Sequence, residues 1–151
     1  MIVPLAAFKR AARILPVLCV DVIVENPDRE YLLVKRTREP MKGRWWVIGG
    51  RVFKGESLAA AAARKVKEET GLAVKVVGPV GYYEHLAEKT PWGGRFRRHS
   101  ASVVFLAKTA GTKRIRLDAQ SAAWKFAKAL PAAFRIVPIH QSGPAAFLKR
   151  R

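Results

Sequence analysis

The sequence predicts a single α/β domain over residues 1–151, with a mixed sheet in an α+β arrangement. A chain of 151 residues of which 50% are hydrophobic is long enough to bury one core. Short runs of β-branched and apolar residues recur along it, as strands do. One long helical pattern follows the third run, so the order of elements is mixed rather than all-helical or all-strand.

The first third of the chain predicts one helix and three strands. Residues 4–13 place apolar side chains on one side and basic ones on the other, as a short amphipathic helix does, and Pro16 ends it. The turn sequence at 26–28, Asn-Pro-Asp, joins two apolar runs and predicts a hairpin. The predicted strands cover residues 17–25, 31–36 and 45–48, with a loop over 37–44.

The long helix is predicted from its start and stop signals. The backbone bends at Gly49-Gly50, directly after an apolar strand. Ser57 is a good N-cap residue, the alanines at 59–63 favour a helix, and Gly71 is a typical helix end. Beyond the helix, strands are predicted at 72–77, 80–86, 100–109 and 124–126, a basic loop at 90–98, a connecting loop at 115–123, a short helix or turn at 128–134, and a C-terminal helix at 144–151.

Charge and cysteine content limit the partners and the compartment. The formal net charge is +18, from 29 basic and 11 acidic residues, so the surface should attract phosphates and give nonspecific affinity for nucleic acid. The single cysteine, Cys19, excludes an internal disulfide and fits a reducing cytoplasm. No apolar stretch approaches the length of about 18 residues that a membrane span needs, so we expect a cytoplasmic protein without membrane contact.

Eight residues between positions 50 and 72 have the spacing of a known motif. They are Gly50, Glu56, Arg64, Val66, Glu68, Glu69, Gly71 and Leu72. The pattern resembles the Nudix box, with Lys65 in place of the glutamate expected after the arginine. The resemblance implies an α/β/α sandwich that hydrolyses a nucleoside diphosphate-linked small molecule with Mg²⁺ or Mn²⁺. Without the glycine turn and Glu56, the same charged stretch would be typical of a solvated surface helix.

Lys65 changes what this helix can hold. Hard cations such as Mg²⁺ take oxygen ligands, and a protonated lysine supplies none. Two like charges 4 Å apart near a surface repel by about 4 kcal/mol at an effective dielectric of 20. A cluster of several metal ions is therefore disfavoured. A single ion held by Glu69, a turn carbonyl and Glu68 stays open.

A wider resemblance points to one branch of the family, the GDP-mannose mannosyl hydrolases. It covers about residues 8 to 148. It rests on the strand after Pro16, on Leu33 to Thr37, on Gly43 to Arg51, and on His85, Gln120 and His140. It implies cleavage of the sugar carbon–oxygen bond, with release of GDP and the sugar.

The same resemblance implies roles for individual residues. The predicted catalytic residues are Arg36, Arg51, Asp21 and Glu69, where the arginines stabilise the leaving diphosphate and the aspartate helps to place the sugar. The predicted substrate-binding residues are Arg64, His85 and His140, to which Arg98 at the end of the basic loop is added. The metal ligands that the resemblance implies are Glu69, Gly49 or Gly50, and Gln120, and Glu68 is added from its position on the helix. Ser121 stands where the branch has a histidine base, and serine is a poor base near neutral pH.

Two other functions stay open at this point. One is pyrophosphate hydrolysis of another nucleotide. The other is an RNA- or nucleotide-binding module with little catalysis, which the net charge and the aromatic residues Trp92 and Phe96 among arginines favour. The basic loop is equally typical of a solvated surface segment. The N-terminal helix, with Phe8, predicts either a homodimer contact or packing on the chain's own sheet.

Overall fold

A computed structural model describes residues 3–87, 97–111 and 115–139. Two helices and eight strands lie within these residues. The helices are α1 (Leu5–Ile14) and α2 (Leu58–Thr70). The strands are β1 (Val17–Glu25), β2 (Tyr31–Arg36), β3 (Trp45–Trp46), β4 (Ile48–Arg51), β5 (Lys75–Ala87), β6 (Arg98–Lys108), β7 (Ser121–Ala127) and β8 (Val137–Pro138). All eight strands join one mixed sheet, which confirms the predicted fold class.

Strand β1 is the centre of this sheet. Along one edge it pairs in parallel with β6 over its whole length. Its other edge is divided, because β4 pairs with Cys19 to Val22 whereas β2 pairs only at Glu25. The sheet therefore forks along β1, and the two branches, β4 on one side and β2 with β3 and β7 on the other, leave a space between them.

The alternation of β1 assigns its side chains to two faces. Val20, Val22 and Val24 are fully buried against the apolar side of α2, where Ala62 and Val66 are also fully buried. The opposite face carries Cys19, Asp21 and Ile23 in succession. Cys19 packs beside α1 with Phe8 and Ala12, and Ile23 belongs to a second core with Trp46 and Phe134. Asp21 thus lies between two apolar clusters, at the base of the fork.

Helix α2 has the predicted cap and end. The Ser57 hydroxyl accepts a hydrogen bond from the Ala60 amide at 3.1 Å, and Gly71 takes φ = +73°, which favours glycine. The loop before β7 is attached to the end of α2, since the Arg116 amide donates to the Thr70 carbonyl and the Asp118 amide to the Glu69 carbonyl. The sequence around Gln120 is thereby held beside the C-terminal turn of α2.

Several predicted boundaries were wrong. The strand expected at 45–48 is two short strands, β3 and β4, with different partners. The strands expected at 72–77 and 80–86 are one strand, β5, whose register shifts at Gly78 and Gly81 let it continue past Pro79. Strand β7 begins at Ser121 rather than 124. Of the two alternatives predicted for 128–134, a short helix or a turn, the structure has the turn.

Residues 90–96 of the basic loop predicted at 90–98, and the C-terminal helix predicted at 144–151, lie outside the described residues, and Arg98 begins β6. In the part of the chain that is described, neither helix is long and apolar enough to cross a membrane.

Candidate functional site

A cleft of about 990 Å³ opens at the fork of the sheet. Its walls come from β1, β2, β4, β5, β6 and α2, with the loop after β2. Basic side chains outnumber acidic ones around it. The basic lining residues are Arg36, Arg38, Arg44, Arg51, Arg64, Lys65, Arg98 and Arg135, and the carboxylates are Asp21, Glu39, Glu68 and Glu84. Such a lining favours an anionic ligand such as a phosphate.

The first cluster beside the cleft, here called the loop cluster, consists of Phe53, Glu56, Arg64 and Glu68. Glu56 Oε1 accepts hydrogen bonds from the Phe53 amide and from Arg64 Nη2, both at 2.6 Å, and Oε2 accepts one from Arg64 Nε at 2.9 Å. Arg64 Nη2 also donates to the Arg51 carbonyl at 3.0 Å, and Nη1 to Glu68 at 3.2 Å. These bonds lower the pKa of Glu56. Arg64 was predicted to bind substrate. In the structure its N–H groups donate to the loop before α2 and to Glu68 instead.

The second cluster, here called the lysine corner, consists of Gly50, Lys65 and Glu69. Lys65 Nζ lies 2.9 Å from Glu69 Oε1 and 3.3 Å from Glu68 Oε2. Lys65 and Glu69 are both buried, with 7% and 1% of their surface exposed. Burial raises the pKa of Glu69, and the ammonium of Lys65 opposes that rise. The lysine stem lies against Gly50, where an added Cβ would come within 2.6 Å of Lys65 Cε.

This donor set does not fit a divalent ion. Members of the Nudix family generally use cations such as Mg²⁺. Here Lys65 fills the space between Gly50 and Glu69, and Glu68 is engaged by Arg64 and Lys65. The Gln120 side-chain amide donates to Asp118 at 2.9 Å. Among the described residues, no three His, Cys, Asp or Glu side chains converge as a metal site.

Asp21 forms the floor of the cleft. Its carboxylate is 7% exposed and accepts a hydrogen bond from the Tyr83 hydroxyl at 2.9 Å. Burial raises its pKa to about 6, although hydrogen bonds to Ser102 and Tyr83 and the charge of Arg36 oppose the rise. Only glycine fits at position 49, because a Cβ there would meet the Asp21 carboxylate and lie 2.7 Å from the Val20 carbonyl. The Asp21 side chain therefore lies over Gly49, its partner on the neighbouring strand β4.

Arginines and a histidine form the rest of the site. Arg36 Nε donates to the Pro40 carbonyl at 3.2 Å, and the Arg51 guanidinium lies 4.1 Å from the centre of the Phe8 ring. Burial lowers the pKa of Arg51, and the charge of nearby Arg98 lowers it further. Burial and the charge of Arg98 likewise lower the pKa of His85, which favours its neutral form.

The structure brings most predicted site residues to this one cleft. Asp21, Arg36, Gly49, Gly50, Arg51, Arg64, Glu68, His85, Arg98 and Gln120 line it. Glu69 lies behind Lys65 and contributes no lining surface. His140 lies outside the described residues. Ser121 is buried at the start of β7, 8% exposed.

Sequence reasoning missed Tyr83 and Ser102, which support Asp21 from β5 and β6. The signal for Ser102 was a small polar residue within an apolar strand, at a position where alternation predicts burial. It also missed Arg44 and Arg135, which line the cleft from loops and leave no such pattern.

Comparisons with known proteins agree with the fold and the box. The NUDIX domain model matches residues 15–142. An ADP-ribose pyrophosphatase from Methanocaldococcus jannaschii is 38% identical over 96 residues, which are 64% of this chain and 53% of that protein. The low-salt glycan biosynthesis protein Agl8 from Haloferax volcanii is 33% identical over 90 residues, 60% of this chain and 57% of that protein. The matches thus span little more than half the length of these relatives.

Solved structures share the fold at lower identity. A MutT protein from Methanosarcina mazei superposes with a TM-score of 0.65 and 23% identity, over 79% of this chain and 88% of that one. The NUDIX domain of Shewanella oneidensis NrtR, solved with ADP ribose, gives a TM-score of 0.57 and 20% identity, over 82% of each chain. The match to the family model covers most of the chain, and the box residues lie at one cleft. The chain belongs to the NUDIX domain family.

Proposed function

We propose that this protein hydrolyses a nucleoside diphosphate sugar, of the GDP-mannose type, at the sugar carbon and releases the nucleoside diphosphate. One observation carries the proposal: eight basic side chains line the cleft, and Asp21, on its floor, is the one buried carboxylate among the described lining residues. The basic side chains suit a diphosphate, and the carboxylate suits an uncharged sugar that donates hydrogen bonds.

The leaving group governs this reaction. The bond between the sugar carbon and the β-phosphate oxygen breaks, and its electron pair stays on the diphosphate. Arg36 and Arg51 line the cleft, and in this proposal their positive charges neutralise the diphosphate and make it a better leaving group. The sugar carbon then takes on oxocarbenium character. The arrangement on α2 does not fit a divalent ion, so we assign no step to Mg²⁺ or Mn²⁺.

In this proposal Asp21 accepts a proton from the attacking water. Water adds its oxygen to the sugar carbon and gives up one proton. A carboxylate with a pKa of about 6 is mostly ionised at neutral pH and basic enough to accept this proton. The Tyr83 hydroxyl fixes the carboxylate by donating to Oδ2. We propose Asp21 as the general base, in place of the histidine that Ser121 replaces.

The test is the position of an oxygen label. The full chain is incubated with GDP-mannose in ¹⁸O-water, and the products are analysed by mass spectrometry. We expect the label in mannose and unlabelled GDP. Asp21→Asn should lower the rate by about 100-fold or more, the usual size of a general-base effect. Asp28→Asn, at an exposed turn position, is the matched control and should leave the rate unchanged.

Hydrolysis of the pyrophosphate bond is the second candidate. The similarity to an ADP-ribose pyrophosphatase and to a NUDIX domain solved with ADP ribose favours it. In that case a nucleoside monophosphate and a sugar phosphate form, and the label enters a phosphate. That result would replace the first proposal.

Three further expectations stay predictions. They are a cytoplasmic location, nonspecific affinity for nucleic acid from the net charge of +18, and homodimerisation through α1. The exposed apolar side chains Leu5, Ile14 and Leu15 support the last one. Sedimentation across a concentration series tests dimerisation. Binding of single-stranded RNA that weakens steeply with salt tests the nucleic-acid affinity.

A further inference from the structure

Lys65 occupies the space that a divalent ion would need beside α2. We propose that its ammonium is the resident cation of this site and holds a diphosphate without a metal ion on the helix. This proposal adds to the proposed function and assumes one part of it, namely that a diphosphate binds in this cleft. It concerns how the ligand is bound, whichever of its bonds is broken.

The contacts of Lys65 leave one donor for a ligand. An ammonium carries three N–H donors. Among the described residues, two carboxylates lie close to Nζ, Glu69 at 2.9 Å and Glu68 at 3.3 Å. Lys65 itself lines the cleft, whereas Glu69 behind it does not. The third donor is therefore available on the side from which a phosphate oxygen would approach.

The position of the Lys65 side chain depends on glycine at position 50. A Cβ at position 50 would lie 2.6 Å from Lys65 Cε and 3.0 Å from Cδ, so any larger residue would displace the stem. With glycine there, the stem lies on the backbone of β4 and brings the ammonium to the corner. A divalent ion next to Glu69 would have to expel Lys65 first, because both cations would need the same carboxylate.

Glu69 shows why a cation is needed at this point. Its two carboxylate oxygens are buried, and apart from the Lys65 ammonium, 2.9 Å from Oε1, neither has a hydrogen-bond partner within the described part of the chain. Lys65 is close enough to neutralise it, so an anionic ligand in the cleft does not face a bare carboxylate. The lysine thus does on the helix what a bound metal ion would otherwise do.

A second observation, independent of Lys65, points to an anion in the same cleft. Arg98 Nε is buried and has no hydrogen-bond partner among the described residues. Arg98 also lies close enough to Arg51 for their positive charges to interact. Crowded guanidinium groups with an unused donor are a site that a phosphate would complete. Arg98, Arg51 and Lys65 all line this one cleft.

Calorimetry with inorganic pyrophosphate tests the proposal without turnover. We expect the wild-type chain to bind pyrophosphate with a Kd that differs by less than about threefold between EDTA and Mg²⁺. Lys65→Glu should weaken binding in EDTA by about tenfold or more, since it reverses a charge beside the ligand. Lys67→Glu makes the same charge change on the exposed face of α2 and should change the Kd by less than about threefold. Binding that disappears in EDTA would overturn the proposal.

Binding of Mn²⁺ in the absence of nucleotide, followed by electron paramagnetic resonance, supplies the second readout. We expect wild type and Glu69→Gln to bind Mn²⁺ equally weakly. Lys65→Glu should bind it about tenfold or more tightly than wild type, because a third carboxylate joins Glu68 and Glu69. One tight site in the wild type that Glu69→Gln removes would refute the proposal, as would no gain in Lys65→Glu.

These outcomes are separate from the fate of the proposed function. A chain that hydrolyses no nucleotide sugar would contradict the substrate and leave both binding measurements decisive. Circular dichroism confirms that each variant is folded. If Lys65→Glu does not fold, the wild-type measurements in EDTA and the comparison with Glu69→Gln decide the question.

Discussion

The two charged clusters on α2 are built from the same residue types and differ in how they are satisfied. In the loop cluster, both oxygens of Glu56 are hydrogen-bonded, and Arg64 donates to Glu56, Glu68 and a backbone carbonyl. In the lysine corner, Glu69 is 1% exposed, and among the described residues its oxygens have no hydrogen-bonding partner beyond the Lys65 ammonium. Buried polar groups are normally hydrogen-bonded, so the exception calls for an explanation.

The difference separates a structural role from a functional one. The loop cluster closes on itself and fixes the loop before α2, as the ring of Phe53 under Arg64 at 4.1 Å also indicates. The lysine corner is held by the ion pair of Lys65 with Glu69, to which Glu68 adds a longer contact, and it faces the cleft through Lys65. A cluster with unused hydrogen-bonding capacity beside a cleft is suited to a ligand. Motif residues that look equivalent in sequence are thus not equivalent in structure.

Removing the lysine charge should have the largest effect on stability. Lys65→Met keeps the stem and leaves Glu69 buried without its counter-ion, which should lower the free energy of unfolding by about 3–5 kcal/mol. Lys65→Met combined with Glu69→Met replaces the pair by apolar side chains and should recover most of that loss. Urea unfolding at pH 7 measures both. A double variant no more stable than Lys65→Met would mean that the ion pair is not what holds the corner together.

Asp21 is a buried carboxylate on the floor of the cleft, whereas Glu69 lies behind Lys65, and for Asp21 the expected effect of substitution is a gain of stability. A rise in its pKa from 3.8 to about 6 corresponds to about 3 kcal/mol of destabilisation once it is ionised. At a pH between the two pKa values, the folded state keeps the proton on Asp21 and the unfolded state has lost it. The free energy of unfolding therefore falls as pH rises from about 4 to 6. The groups facing it are Tyr83, Ser102, Arg36 and Glu69.

Asp21→Asn tests this sign directly. We expect the variant to unfold at higher urea than wild type at pH 7.5, by up to about 3 kcal/mol, with the difference vanishing near pH 4. The same variant should be almost inactive, the trade-off that is expected where a site stores an unfavourable charge. Asp28→Asn is the control and should follow wild type at every pH. A constant difference across the pH range would mean that the titration of Asp21 is not its cause.

The sequence predicted α2 well because its signals are local. Ser57, the alanines and Gly71 act within one or two turns, and the box spacing fixed the faces of the helix. The strand boundaries were less accurate, because pairing partners decide them: β5 continues through Gly78 and Pro79 only because β6 lies beside it.

The sequence allowed most of the residues that line the site to be predicted, but not how their side chains are arranged in space. Lys65 was recognised as a departure that disfavours a cluster of several metal ions, but its position on Gly50 depends on how α2 packs against β4. The support of Asp21 by Tyr83 and Ser102 joins three strands that are distant in the chain. No spacing rule connects such residues, since sheet topology alone brings them together.

The smallest effects on the free energy of unfolding are expected within the loop cluster, for the two glutamates that accept hydrogen bonds from Arg64. Glu56→Gln loses charge-assisted bonds from Arg64 and the Phe53 amide and should lower the free energy of unfolding by about 2 kcal/mol. Glu68→Gln should lower it by about 0.5 kcal/mol or less, since that side chain is 46% exposed and its ion pair is screened by solvent. Both variants remove one carboxylate charge beside the same arginine, but Glu56 also accepts from the Phe53 amide and is less exposed, 18% against 46%, so urea unfolding of both compares the enclosed contacts with the exposed pair. Equal losses would mean that the enclosed hydrogen bonds of Glu56 add nothing over a surface pair, and the distinction between a closed structural cluster and an open ligand-facing one would lose its energetic basis.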